Sequence, residues 1–342
     1  MRRATSFAGS PQRPARRSLL AGALGVAGLA LTGCRVRLED SAPEVPFIPT
    51  RDPIPAEAAL LWLLQDCRAL SRRRQPQGTV DLAGLYEEQV AVLRTALYRA
   101  GIPVETLDEA LAEPLPQQSP TEPAPTESAT ESVTESATAA STPTPADDGA
   151  AAALGRLPEL AECGGGIFPL VISLLAQRWA TLALGGVHPP DEAVQSDPAR
   201  LWDLPFLAVP FAQLTDAAQY GFEVVAAQSR DRAREIALEG LWRIEALWRE
   251  QNTRSGGRAP APEFGYPLPF PVSSEESAGR LAAHVIDGLI DGYAGLLPGM
   301  VGTAQQEAAV DLVAWLGSAA TIGAHWGLPL EAFPGTESLA SP

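Results

Sequence analysis

Phe206 to Gln251 reads FLAVPFAQLTDAAQYGFEVVAAQSRDRAREIALEGLWRIEALWREQ. The first part, to Gln228, puts Leu207, Phe211, Leu214, Ala218 and Val225 on one stripe. The second, from Asp231, does the same with Ala237, Leu241, Ile244 and Trp248. Apolar residues recurring three and four apart mark the buried face of an amphipathic helix, so this stretch predicts two helices, 206–228 and 231–251. On the second, Arg232, Arg234, Arg243 and Arg249 lie near Glu235, Glu239 and Glu245, a spacing that suits surface ion pairs.

The same pattern extends outward. Downstream, Gly256-Gly257 and the run Tyr266 to Pro271 form a long, polyproline-like connection. Ser273 and Glu276 then make a capping box, followed by helices at 279–297 and 304–326. Upstream, 56–73 carries Leu60, Leu61, Leu63, Leu64 and Cys67 on a broad apolar face. Leu85, Val90, Leu93, Ala96 and Leu97 predict a helix over 82–100, which Gly101 and Pro103 stop. A weaker, Ala-rich helix spans 150–162 and ends before Gly164-Gly165-Gly166. Residues 168–184 are apolar nearly all round, as a buried helix is, and His188-Pro189-Pro190 opens a connection to about Leu204. No strand-like alternation of useful length occurs. The expectation is an all-α chain of two four-helix bundles in tandem, over 56–200 and 201–337, with a short tail at 338–342.

Within the first bundle, residues 113–148 form a low-complexity insert. Thr-Glu-Ser recurs at 126–128, 130–132 and 134–136, with seven acids, no arginine and no aromatic residue in the insert. Such a composition buries too little apolar surface to offset ordering entropy, so disorder is expected. Thr/Pro-rich exported stalks are also O-glycosylation candidates.

The chain of 342 residues has a formal charge of −16 and a mean hydropathy of +0.01, and all 25 of its basic residues are arginine. Nucleic-acid binding needs a positive surface, which this balance excludes. The absence of lysine removes Schiff-base chemistry and the P-loop lysine, and Gly164-Gly165-Gly166 lacks the Lys-Ser/Thr of a phosphate loop. No Cys-x-x-Cys and no Gly-x-Ser-x-Gly occurs, and no residue set points to a catalytic centre.

Residues 1–33 read as a signal peptide. Arg16 and Arg17 precede an uncharged stretch, 18–32, that is too short and small-residue-rich to span a bilayer. It ends Leu31-Thr32-Gly33-Cys34, small residues before a cysteine, as a lipoprotein signal peptidase requires. Arg16-Arg17-Ser18-Leu19-Leu20 resembles a twin-arginine export signal. Cys34 would then carry the acyl chains, followed by a Pro-rich spacer to Pro55, on the extracytoplasmic face of the cytoplasmic membrane. Cleavage removes five arginines and no acid, taking the charge from −16 to −21, so attachment must come from the lipid rather than from an anionic surface. The two remaining cysteines, Cys67 and Cys163, are an even pair in an exported chain. A disulfide between them is expected, with two buried free thiols as the alternative.

Pro262-Glu263-Phe264-Gly265-Tyr266-Pro267-Leu268-Pro269-Phe270-Pro271-Val272 and Ala332-Phe333-Pro334-Gly335, with Leu281 to Tyr293 between them, resemble the ferritin-like domain of unknown function of actinobacterial lipoproteins. The resemblance covers about Leu204 to Gly335. It implies a four-helix bundle related to di-iron carboxylate proteins, where Glu-x-x-His pairs and further acids supply the ligands. This chain departs from that chemistry. Position i−3 is Gly185 for His188, Leu281 for His284 and Ile322 for His325, so no Glu-x-x-His exists. Where the family tends to carry an acid followed by histidine, this chain reads Leu214-Thr215-Asp216.

Weak metal candidates remain. His284, Asp287 and Asp291 share one helix face, and Glu307, Asp311, Ser318 and His325 share another. Opposing apolar faces (Leu281, Val285, Leu289 and Tyr293; Leu312, Leu316 and Ala319) make both stripes solvated polar faces in the preferred reading. Asp216 and Glu223 lack a partner base and read as surface or inter-bundle hydrogen-bonding residues. Trp242, Trp248, Trp315 and Trp326 read as core or inter-helix anchors. The expected function is a non-catalytic, lipid-anchored interaction or structural module of the envelope, without cofactor, contacting the membrane through Cys34 and a further envelope protein. The alternatives are a ferritin-like protein with an atypical metal or redox site, and a small-ligand binder with a pocket between the bundles.

Overall fold

The computed structural model describes residues 51–73, 82–113, 145–187 and 199–336. The signal with Arg16, Arg17, Leu31, Thr32 and Gly33, the anchor Cys34, most of the spacer and insert, His188 and the tail lie outside the described residues. Helical periodicity becomes ten α-helices and two 3-10 turns, with no strand among the described residues. We label them α1 (Glu57–Ser71), α2 (Leu82–Arg99), α3 (Val104–Ala112), α4 (Pro145–Gly155), α5 (Leu157–Leu160), α6 (Phe168–Leu184), α7 (Val209–Gln228), α8 (Asp231–Arg254), α9 (Glu275–Leu296) and α10 (Thr303–His325). The protein is all-α.

Helices α7 to α10 form a ring in which α7 packs on α8 and α9, and α10 on α9 and α8. Side-chain contacts fix the directions. Thr215, early in α7, meets Gln251 late in α8 and Tyr293 late in α9. Asp311, early in α10, meets Arg254 at the end of α8. So α8 and α9 run one way while α7 and α10 run the other, and every neighbouring pair is antiparallel. The connection from α8 to α9 must therefore travel the length of the bundle, about 36 Å for the 24 residues of α8. The Pro-rich stretch does this: Gly265 lies against Tyr220, the Tyr266 hydroxyl and the Glu263 N–H bond Asp216, and Phe270 sits over Arg280 and beside His284.

The first-half helices do not form a separate bundle. Helix α6 packs along α10 almost as extensively as α7 packs along α8. The approach is close because of Gly317, where a Cβ would lie 2.6 Å from Trp179 Cδ1. The apolar core runs unbroken from Leu60 and Leu64 of α1, through Ile172 and Leu175 of α6, to Leu312 of α10 and Ile286 of α9. The described residues from Asp52 onward form one compact unit. The tandem arrangement is thereby corrected: a boundary near residue 200 marks a change of chain segment, and the core continues across it. The reason is that α6 is apolar all round and needs two partners, and α10 supplies one of them.

Local details also differ. Helix α9 begins four residues, about one turn, earlier than expected: Ser274 is the N-cap in place of Ser273, and its box partner is Ser277 in place of Glu276. Pro103, read as a stop, also begins α3. The last four residues of the insert, 145–148, belong to α4. No described helix is long and apolar enough to cross a membrane.

Candidate functional site

A cavity of about 960 Å³ opens between α2, the entry to α6 and the C-terminal segment after α10. Its α2 wall follows from helical spacing: Leu85, Val92 and Ala96 project apolar surface, and Glu88, Thr95 and Arg99 stand at the exposed rim. Ile167, Pro169 and Leu170 come from the start of α6, where Pro169 suits the first turn because its missing N–H has no intrahelical acceptor there. Ala332, Phe333 and Thr336 form the buried floor.

That floor is tied to three helices. Gln89 Nε2 donates to the Ala332 carbonyl at 2.8 Å, and Ser173 Oγ donates to the Pro334 carbonyl at 2.7 Å. Gly335 sits at φ 71°, and a Cβ there would meet the Ile290 carbonyl of α9 at 2.7 Å. Only glycine satisfies both the left-handed backbone and that approach. Thr336 Oγ1 closes the turn onto the Phe333 carbonyl. On the α6 side, Gln305 Nε2 donates to the carbonyls of Ala161 (2.7 Å) and Cys163 (2.5 Å), fixing the loop that carries Gly165 and Gly166 into the cavity wall.

Behind α2 lies a buried polar chain. Gln89 Nε2 also donates to Gln177 Oε1 at 3.0 Å, and Gln177 Nε2 donates to Thr181 Oγ1. The fully buried Arg178 guanidinium lies 4.1 Å above the Tyr86 ring, with Nη2 3.5 Å from Asp66 Oδ2 and 3.3 Å from Cys67 Sγ. Burial raises the Asp66 carboxyl above its ordinary value, against the pull of Arg178. Burial also pushes the Cys67 thiol up to about 11 and the Cys163 thiol up to about 12. Both cysteines are free and buried, which corrects the expected disulfide. Cys67 is held in this polar chain, with its thiol directed at Gln89 Oε1, while Cys163 sits at the loop before α6.

The bundle interior, where a ferritin-like fold would place metal ligands, is filled otherwise. Thr215 Oγ1 lies 2.5 Å from both Gln251 Oε1 and Tyr293 Oη, and Gln251 Nε2 donates to Tyr293 Oη at 2.7 Å. Burial pushes the Tyr293 phenol up to about 12, so this cluster is uncharged at neutral pH. One turn on, Arg254 clamps Asp311 with Nε–Oδ2 2.7 Å and Nη2–Oδ1 3.1 Å. Trp202 Nε1 donates to Asp311 Oδ2 at 2.7 Å, and Arg254 Nη1 donates to the Arg200 carbonyl. Both charged groups of the clamp are buried. Glu250 reaches Arg254 Nη2 at 3.2 Å, and burial raises its carboxyl.

The metal candidates separate accordingly. His284, Asp287 and Asp291 are exposed on α9. Asp311 is 1% exposed, which corrects the solvated-face reading at that residue, while Glu307 and Ser318 are half-buried and His325 is exposed. Helix α10 is covered on two sides, so its polar residues find partners within the fold. Glu307 accepts the Asp203 N–H at 2.9 Å, and His325 Nδ1 lies 2.8 Å from the Thr321 carbonyl. No group of three His, Cys, Asp or Glu able to hold a metal occurs among the described residues. Trp242 is 63% exposed, so it is no core anchor, whereas Trp315 is fully buried and stacks on Trp202 at 5.3 Å. Sequence reasoning offered a pocket between the bundles as an alternative but named none of its lining, and it missed Arg178. An arginine, the one charged residue in the mainly apolar run 168–184, was the available signal.

Residues 213–338 match a family model described as Domain of unknown function (DUF4439). No curated protein and no solved structure matches the chain. Both quoted strings fall inside the matched region, and both have structural roles in this chain. One is the crossover pinned on Asp216; the other is the cavity floor.

Proposed function

We propose that this chain is a lipid-anchored, non-catalytic binding module on the extracytoplasmic face of the cytoplasmic membrane. It is held there by acyl chains at Cys34, with a ferritin-like bundle as scaffold for a small-ligand cavity. The observation that carries this reading is the cavity itself. Its volume of about 960 Å³ falls within the range of small-molecule sites, and its walls combine apolar side chains with a few polar groups at the rim. The ferritin-like assignment is supported by the all-antiparallel ring of α7 to α10 and its full-length crossover. The filling of the bundle centre by Thr215, Gln251, Tyr293 and the Arg254–Asp311 clamp favours binding over metal chemistry, because these donors are already engaged with one another.

The neutral, polarity-sensitive dye Nile red tests the cavity. A soluble Cys34→Ser chain without its signal should bind it and enhance its fluorescence. Val92→Trp, which fills the cavity from α2, should abolish the enhancement. An unenhanced wild-type signal overturns the reading. Anchoring has its own assay: metabolic labelling with palmitate should mark the wild-type chain in the membrane fraction and leave Cys34→Ala unlabelled.

A further inference from the structure

Resting on the ligand-binding reading, we infer that the cavity takes a single long acyl chain ending in a carboxylate, with its head at Arg99. Three observations lead there. The first is length. Lining residues on α2 run from Leu85 to Arg99, which at the helical rise is about 21 Å, the scale of an extended long-chain fatty acid and far more than a compact metabolite needs. The second is the distribution of polarity. The lining residues Ile167, Pro169 and Phe333 are buried and apolar, so the body of the ligand meets hydrocarbon. The third is charge. Arg99 is the cation among the lining residues and lies at the far end of α2. No ion pair is recorded for it among the described residues.

The acids among the lining residues are Glu88, eleven positions before Arg99 on α2, and Glu331. Gln89, next to Glu88, bonds the carbonyl of Ala332, next to Glu331, so both acids belong to the end of the groove away from Arg99. A carboxylate in the groove is therefore drawn to the Arg99 end and repelled from the Glu88 end. The chain then lies over Ala96, Val92 and Leu85. Burial of its methylenes gives affinity, while the Arg99 contact sets direction.

The test is displacement of Nile red from the soluble Cys34→Ser chain by ligands of equal chain length. Palmitate should displace the dye at about fivefold lower concentration than hexadecanol, the gain of one exposed charge-assisted contact. Hexadecylamine should not share the Arg99 dependence of palmitate, because the acids at the other end draw its ammonium there. Arg99→Lys should keep the preference for palmitate and Arg99→Glu should abolish it. Equal displacement by palmitate and hexadecanol overturns the head assignment while leaving the cavity in use. Dye binding that none of the three ligands displaces overturns the acyl class. Displacement by dipalmitoylphosphatidylglycerol but not by palmitate identifies a two-chain lipid and overturns the single-chain assignment. Failure of the dye to bind at all removes the ligand-binding reading beneath the proposal.

Discussion

Asp311 shows how far one residue departs from its sequence context. Its spacing with Glu307 and Ser318 describes a polar stripe, yet its carboxylate is buried, clamped by Arg254 and bonded by Trp202. Desolvation makes such a pair a weak source of net stability, but removing one partner leaves the other charge buried and unpaired. Asp311→Ala should therefore lower unfolding stability by about 3–5 kcal/mol, while the double change Arg254→Met, Asp311→Leu should recover most of it. Urea denaturation of the three chains checks this. The thiols give a second residue-scale expectation. Cys67 and Cys163 are raised by burial to about 11 and about 12, so the folded state holds protons that the unfolded chain releases. Stability is thus full below about pH 8.5 and falls as pH rises from there towards 11–12, because the folded state binds more protons in that window. Cys67→Ala, Cys163→Ala should flatten that alkaline fall. Iodoacetamide at pH 8 should modify neither thiol in the folded Cys34→Ser chain and both in guanidinium.

At the scale of elements, the crossover and the α6–α10 contact carry the arrangement. The crossover contributes no helix, yet its course lets α8 and α9 run in the same direction. Tyr266 bonding Asp216 is the contact that lays it against α7. Tyr266→Phe should cost about 1 kcal/mol, the net worth of one hydrogen bond, and should raise hydrogen exchange in residues 258–272 before it affects α7. The identity of the crossover was legible in its Pro-rich string; its tether was not, because Asp216 lies 50 residues away in sequence. Similarly, a cap at the start of α9 was legible, while the choice between adjacent serines rested on which side chain reached the free N–H groups.

For the molecule as a whole, the unbroken core makes a direct prediction. A fragment of residues 201–337 contains all four helices of the ring but lacks α6. By helical spacing Val313 and Ala320 share the face of Gly317, which Trp179 covers, so the fragment exposes an apolar strip along α10. It should aggregate or self-associate in sedimentation velocity, whereas the chain from residue 52 should stay monodisperse and unfold in one calorimetric transition. A soluble, cooperatively folding 201–337 fragment would restore the two-bundle description. The cavity belongs to this scale as well, since α2, the entry to α6 and the segment after α10 each contribute a wall.

The sequence by itself determined the helices and their class, because the 3.6-residue period, caps and breakers are local and act within one or two turns. It also carried the anchor expectation at Cys34 and the lack of Glu-x-x-His pairs. Tertiary structure alone decided which helices share a core, that Cys67 and Cys163 stay apart, that Asp311 is buried and that a cavity forms. Those outcomes depend on contacts between residues far apart in the chain. Gln89 and Ala332, separated by 243 positions, meet only because α6 packs along α10 and also holds Gln89 through Gln177. Burial, unlike periodicity, is a property of the neighbours a residue acquires.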